Sequence, residues 1–177
     1  MSQLRLWITR HDTQISLRMN GWCGRSAVRR LLAGVSRLGD GWFWGMTMLV
    51  LAMAGPAGLI AALHMLLVGA VTLLAYKALK HAIRRPRPCE IDATRGRLIV
   101  PVPALDRWSF PSGHTMHACA FTTIAITAVP PLAFILVPFT VLVMLSRVVL
   151  GLHWPSDVLA GALFGTGCAL ASLALFS

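Results

Sequence analysis

Residues 41–76, 108–146 and 158–177 contain no Asp, Glu, Lys or Arg. Uncharged apolar runs of this length point to a bilayer, where a charged side chain at the centre of a spanning helix costs about 2.5–3.5 kcal/mol. The six acidic and sixteen basic side chains lie at or before Asp40, between Lys77 and Arg107, or singly at Arg147 and Asp157. With 56% hydrophobic and 12% charged residues and a mean hydropathy of +0.71, the chain is neither a water-soluble domain nor a disordered one. Four Cys at no regular spacing form no disulfide framework and no zinc pattern. Cys119 and Cys168 read as packing residues at lipid depth, and Cys23 and Cys89 as free or bridged according to the compartment they face.

A spanning helix takes about 20 residues, so 41–76 is too long for one upright span and sufficient for two, with Gly55-Pro56 as the break. The stretch 108–146 divides the same way at Pro130-Pro131. The expected fold is an all-α, multi-pass transmembrane bundle of about five spans, near 40–55, 57–79, 112–129, 132–150 and 156–176. Before it, Val28, Leu31, Leu32, Val35 and Leu38 recur at helical spacing between Arg25, Arg29, Arg30 and Arg37. Residues 1–39 therefore read as an amphipathic N-terminal segment, either lying on anionic headgroups or packed on the bundle, with no catalysis expected from it. Residues 40–177 form the membrane-embedded domain. Seven Arg and no continuous apolar stretch in residues 1–40 also argue against a secretory leader.

The net charge of +10 would suggest nucleic acid in a soluble protein. Here the aromatic residues sit in or beside apolar runs instead of among the basic ones, so membrane lipids and phosphate-bearing substrates are the expected partners, and nucleic acid is not. Oligomeric state leaves no signature.

The order of the spans makes the first functional argument. Lys80 to Pro88 follows the second span, Pro111 to His114 opens the third, Arg147 closes the fourth, and His153 to Asp157 opens the fifth; all four clusters emerge on one face. Lys80, Arg87 and Arg147 converging there suit a tetrahedral dianion, because Arg offers a planar fork and Lys a point charge. Ser112 and Gly113 add a hydroxyl, free backbone N–H groups and the positive end of a helix dipole. His153 and Asp157, four apart across Pro155, form an oriented base or nucleophile if the carboxylate reaches the ring. His114 is placed to protonate a leaving oxygen.

These residues resemble the type 2 phosphatidic acid phosphatase, or lipid phosphate phosphatase, family, which includes the vanadium-dependent haloperoxidases. The first motif reads KHAIRRPRP from Lys80 to Pro88, the second is Pro111 to His114, and the third reads SRVVLGLHWPSD from Ser146 to Asp157. The resemblance implies that His153 is a nucleophile forming a phosphohistidine, oriented by Asp157, with His114 as the acid. It implies phosphate binding by Lys80, Arg87, Ser112, Gly113 and Arg147, and chemistry with no metal and no cofactor. Many bacterial members have six spans where this chain shows five.

Other residues have blander readings. Arg84, Arg85, Arg95 and Arg97 are interfacial anchors, and Trp42, Trp44, Trp108 and Trp154 are belt residues. His117 and His64 pack between helices, and Asp106 and Arg107 are a solvated pair.

The expected function is a membrane lipid phosphatase acting on phosphatidic acid, phosphatidylglycerophosphate, lipid A or undecaprenyl pyrophosphate, with a polyprenyl pyrophosphate or a broad lipid range favoured. A lipid phosphotransferase would use the same site. A small transporter would need polar residues through the bilayer centre, where the last three spans offer little beyond Thr and Ser. The expected location is a bacterial inner (plasma) membrane. Five spans would turn the basic site face to the cytoplasm, whereas one tilted helix over 41–76 would turn it outward.

Overall fold

The computed structural model describes residues 3–176, and among them every regular element is helical. The helices are α1 (Gln3–Asn20), α2 (Ser26–Leu38), α3 (Trp42–Met53), α4 (Pro56–Ile83), α5 (Gly113–Ala128), α6 (Ala133–Val149) and α7 (Pro155–Phe176). The expected breaks appear where the backbone demands them. Gly55 adopts φ 114, a conformation that L side chains disfavour, and Pro56 then opens α4 at the position where its missing N–H is harmless. Pro130 and Pro131 form a single tight turn between α5 and α6.

Three helical segments, Pro56–Glu90, Pro130–Val149 and Pro155–Leu175, are long and apolar enough to cross a bilayer. The other two expected spans are shorter, at 12 residues for α3 and 16 for α5. At about 1.5 Å per residue these cover roughly 18 and 24 Å, less than the ~30 Å hydrocarbon core. The shortness of α5 follows from its surroundings. Most of its residues are buried among α4, α6 and α7, so it needs no lipid-facing length.

Small residues bring α5 and α7 together. A Cβ at Gly161 would stand 2.6 Å from the Ser112 carbonyl oxygen, and one at Gly165 would meet the backbone of Met116, so both must be Gly for the helices to approach this closely. Hydrogen bonds tie α5 to its other neighbours: Thr122 to Thr140 of α6 at 2.6 Å, and His117 to the Gly69 carbonyl of α4 at 3.2 Å. His64 bonds Ser172. His117 and His64 thus hold helices together, as expected. Trp44, expected in an interfacial belt, is instead 2% exposed and packs against Phe43, Phe121 and Phe139 in the core. Trp42 is exposed.

In α2, Leu32, Val35 and Ser36 are buried and the helix packs on α6, while Leu31, Leu38 and Arg30 face outward. The α1 helix is inside-out. Its buried residues are Asp12, Ser16 and Asn20, four apart, whereas Leu4, Leu6, Trp7 and Ile15 are exposed. Asn20 explains part of this: its amide donates to the carbonyls of Ile99 and Val149 and accepts from the Ile99 N–H, each at 2.8 Å. That clamp ties the end of α1 to the end of α6 and to the polar loop.

Candidate active site

The turn from Leu150 to Trp154 joins α6 to α7 and carries His153, whose ring is 2% exposed. Its Nδ1 lies 2.7 Å from the Ser109 carbonyl oxygen, which can only accept, so Nδ1 carries the hydrogen. The Nε2 lone pair is left facing the Arg87 guanidinium at 3.4 Å. Burial first, then the charges of Arg147, Arg87, Lys80 and the nearby His114, hold this imidazole well below its ordinary pKa. It is a neutral, tautomerically fixed base in a cationic pocket.

Asp157 does not make the expected bond to the ring. Its Oδ2 is 3.8 Å from His153 Nδ1 and instead accepts the Trp154 N–H at 2.9 Å, while Oδ1 accepts from Arg85 at 2.6 Å. The reason is local: an acid in the first turn of α7 is drawn to the free N–H groups there and to the guanidinium beside it. The orienting acceptor is the Ser109 carbonyl, a backbone group on which the side-chain spacing is silent.

Lys80, Arg87 and Arg147 all lie near enough for their charges to act on His153, each no more than 3% exposed. Lys80 Nζ donates to the Trp108 carbonyl at 2.7 Å and pairs with Asp106 at 3.1 Å. Arg87 donates to the carbonyls of Asp106 and Leu152. Arg147 donates to Ser36, and its buried Nε–H has no acceptor among the described residues. Ser112 precedes α5, with its N–H bonded to the Asp157 carbonyl at 3.1 Å and its hydroxyl accepting from Thr115 at 3.0 Å. Gly113 begins the helix beside the Tyr76 ring, which a Cβ would meet at 3.2 Å. His114 donates to the Asp40 carboxylate and lines a cavity of about 230 Å³ with Gly39, Tyr76 and Asp106.

Several site residues escaped the sequence reading. Arg85, taken for an anchor, bridges Asp157 to Asp12 of α1, which also accepts the Ser156 N–H at 3.0 Å. Asp106, taken for half of a solvated pair, neutralises Lys80; Arg107 lies over the Trp108 ring instead. Trp154, taken for a belt residue, is buried and donates to the Pro86 carbonyl at 3.0 Å. The N-terminal segment, from which no catalysis is expected, delivers Asp12 and Ser36 to site residues, and Asp40, just after it, reaches His114. A signal existed: acids are scarce in this chain, and Asp12, Asp40, Asp106 and Asp157 all bond site side chains.

A family model described as the PAP2 superfamily matches residues 57–177, more than half of the sequence and all three motifs. The chain belongs to this family. Among PAP2 relatives, it is 39% identical over 101 residues to decaprenylphosphoryl-5-phosphoribose phosphatase of Mycolicibacterium smegmatis, covering 54% of this chain and 51% of that protein. It is 38% identical over 114 residues to phosphatidylglycerophosphatase B of Bacillus subtilis, covering 58% and 52%. The chain thus spans about half the length of these two relatives. Its fold superposes on the crystal structure of a transmembrane PAP2-type phosphatidylglycerolphosphate phosphatase from Bacillus subtilis with a TM-score of 0.74 and 26% identity, over 96% of this chain and 86% of that one. Aquifex aeolicus LpxE shares the fold at a TM-score of 0.77 and 23% identity, over 89% and 92%. With three helices able to cross a bilayer and membrane-spanning PAP2 relatives, the chain is an integral membrane protein.

Proposed function

We propose that the chain is a membrane phosphatase that removes a terminal phosphate from a lipid phosphate or pyrophosphate through a phosphohistidine at His153. The observation that carries this reading is the hydrogen bond from His153 Nδ1 to the Ser109 carbonyl, which leaves the Nε2 lone pair beside Arg87. In the first step Nε2 attacks phosphorus, the bond from phosphorus to the lipid oxygen breaks, and His114 passes a proton to that oxygen. In the second, His114 takes a proton from water, whose oxygen attacks the phosphohistidine, frees His153 and releases inorganic phosphate. Asp40 orients the His114 ring and offsets its charge when protonated.

Lys80, Arg87 and Arg147, with Ser112 and the N–H groups at the start of α5, are the groups assigned to the phosphate oxygens. An oxyanion would satisfy the Arg147 Nε–H, and fixed cations in a water-poor pocket stabilise charge on the phosphoryl group in flight. The names of the PAP2 relatives, phosphatases of a decaprenylphosphoryl sugar phosphate and of phosphatidylglycerophosphate, support a lipid substrate. Their bacterial sources support a place in a bacterial plasma membrane.

The test is phosphate release by detergent-purified protein in EDTA from phosphatidic acid, phosphatidylglycerophosphate and a polyprenyl pyrophosphate, for wild type and His153→Ala. Release that survives the chelator and vanishes in the variant upholds the reading; equal release by the variant rejects it.

A further inference from the structure

A larger cavity, of about 530 Å³, opens beside the candidate active site, and of its lining residues only Lys80 is also assigned to the scissile phosphate. Lys77, Lys80, His81 and Arg84 line it from one face of α4 and its end, at the three- and four-residue intervals that align side chains on a helix, and Asp106, Arg107 and Trp108 line it from the polar loop. Its charge is unbalanced. Asp106 is the sole carboxylate among the lining residues and is committed to Lys80 at 3.1 Å, so Lys77, Arg84 and Arg107 face the space with no acid paired to them among the described residues.

Two of these cations have a contact that orients them. Arg84 ends α4 in a left-handed conformation, φ 50, usually left to Gly or Asn, and its Nε–H bonds the His81 carbonyl at 3.0 Å. Holding a long charged side chain in that conformation strains the backbone, and outliers of this kind gather at ligand clamps. The Arg107 guanidinium is held 4.9 Å from the centre of the Trp108 ring.

Its position relates the cavity to substrate. Asp106 lines both this space and the smaller one that holds His114, so the two share a wall beside the residue assigned to protonate the leaving alcohol. We propose that the cavity around Lys77, Arg84 and Arg107 is a second anion subsite, binding a phosphodiester carried on the leaving alcohol of the lipid substrate. The proposal rests on the phosphatase reading and narrows it. Because Asp106 stands between the two spaces, the second anion is one separated from the scissile phosphate by a short linker, not one bonded directly to it. A general attraction for the membrane surface would need neither the shared wall nor the concavity.

The test compares kcat/KM in uncharged detergent micelles for phosphatidic acid, which has a single phosphate, phosphatidylglycerophosphate with the same acyl chains, and a polyprenyl pyrophosphate. The proteins are wild type and the double variant Lys77→Gln/Arg107→Gln, with Arg84→Gln as a separate variant. The expected result is that the preference for phosphatidylglycerophosphate over phosphatidic acid falls about tenfold in the double variant, chiefly through KM, as for loss of a charge-assisted contact. Arg84→Gln moves it the same way, and the pyrophosphate follows phosphatidic acid. Equal losses on all three lipids, or an unchanged preference, overturn the subsite while leaving the phosphatase reading intact. A drop confined to the pyrophosphate assigns the cavity to a directly bonded phosphate and also overturns it. Failure of wild type to release phosphate from any of the three ends both readings.

Discussion

The ring of His153 is held by the backbone of Ser109, at 2.7 Å from Nδ1, while the Asp157 carboxylate stands 3.8 Å away. A backbone carbonyl survives every side-chain substitution, so the tautomer that leaves Nε2 free does not depend on Asp157.

Asp157→Asn is therefore expected to slow the enzyme moderately. The amide oxygen can still accept the Trp154 N–H, while the ion pair to Arg85 is lost. A hydrogen bond to a charged group is worth about 1.5–3 kcal/mol, or about 10- to 150-fold in rate. Where a carboxylate alone fixes the tautomer of the base, the same substitution costs about 10⁴-fold. Steady-state kinetics on one lipid separate the two cases, and a loss near the larger figure would return the orienting role to Asp157.

The depressed pKa of His153 fixes the pH behaviour. A nucleophile must be unprotonated, and this ring resists protonation because it is buried among Arg147, Arg87 and Lys80. The acid limb of kcat/KM assigned to it should fall well below pH 6.5, the ordinary His value. Linkage runs the same way: below pH 6.5 the unfolded chain takes up a proton that the folded chain refuses, so stability falls as pH drops from there towards the folded value. His153→Gln should remove that part of the pH dependence of the melting temperature. An acid limb at or above pH 6.5 in wild type contradicts this account of the site's charge.

His114→Ala should separate substrates by their leaving group. An alkyl phosphate departs with a proton from His114 and should slow by about 10²–10⁴-fold, whereas p-nitrophenyl phosphate, whose leaving oxygen needs no proton, should lose far less. Equal losses on both would remove His114 from proton transfer. Asp40→Asn should reproduce the pattern in weaker form.

The bundle and most of the pocket could be read from the sequence because both are written in side-chain types: uncharged stretches for helices, and Lys80, Arg87, His114, Arg147 and His153 at ends that share a face. Three kinds of information were not written there. The Ser109 carbonyl belongs to the backbone and has no residue code. The pairing of Arg85 with Asp12 and of Arg147 with Ser36 depends on how α1 and α2 dock, which side-chain spacing within one helix does not reveal. The length of α5 was set by packing, since a helix enclosed by its neighbours need not match the bilayer.

The contact between α5 and α7 gives a stability test remote from the chemistry. Gly165→Ala drives a methyl into the backbone of Met116, and overpacking of this kind costs about 1–3 kcal/mol. A lowered melting temperature in detergent is expected, with Gly167→Ala, which meets nothing within 4 Å, as the neutral comparison. Equal melting of the two variants would show that the helices are not in close contact at Gly165.

The central claim is a covalent intermediate on His153, and the most direct measurement is to quench the enzyme in alkali within its first turnovers and locate phosphate on the chain by mass spectrometry. The account predicts one acid-labile phosphoryl group, on His153, absent from His153→Ala and accumulating in a variant whose second step is slowed. Phosphate on any other residue, or full turnover by His153→Ala, would contradict it.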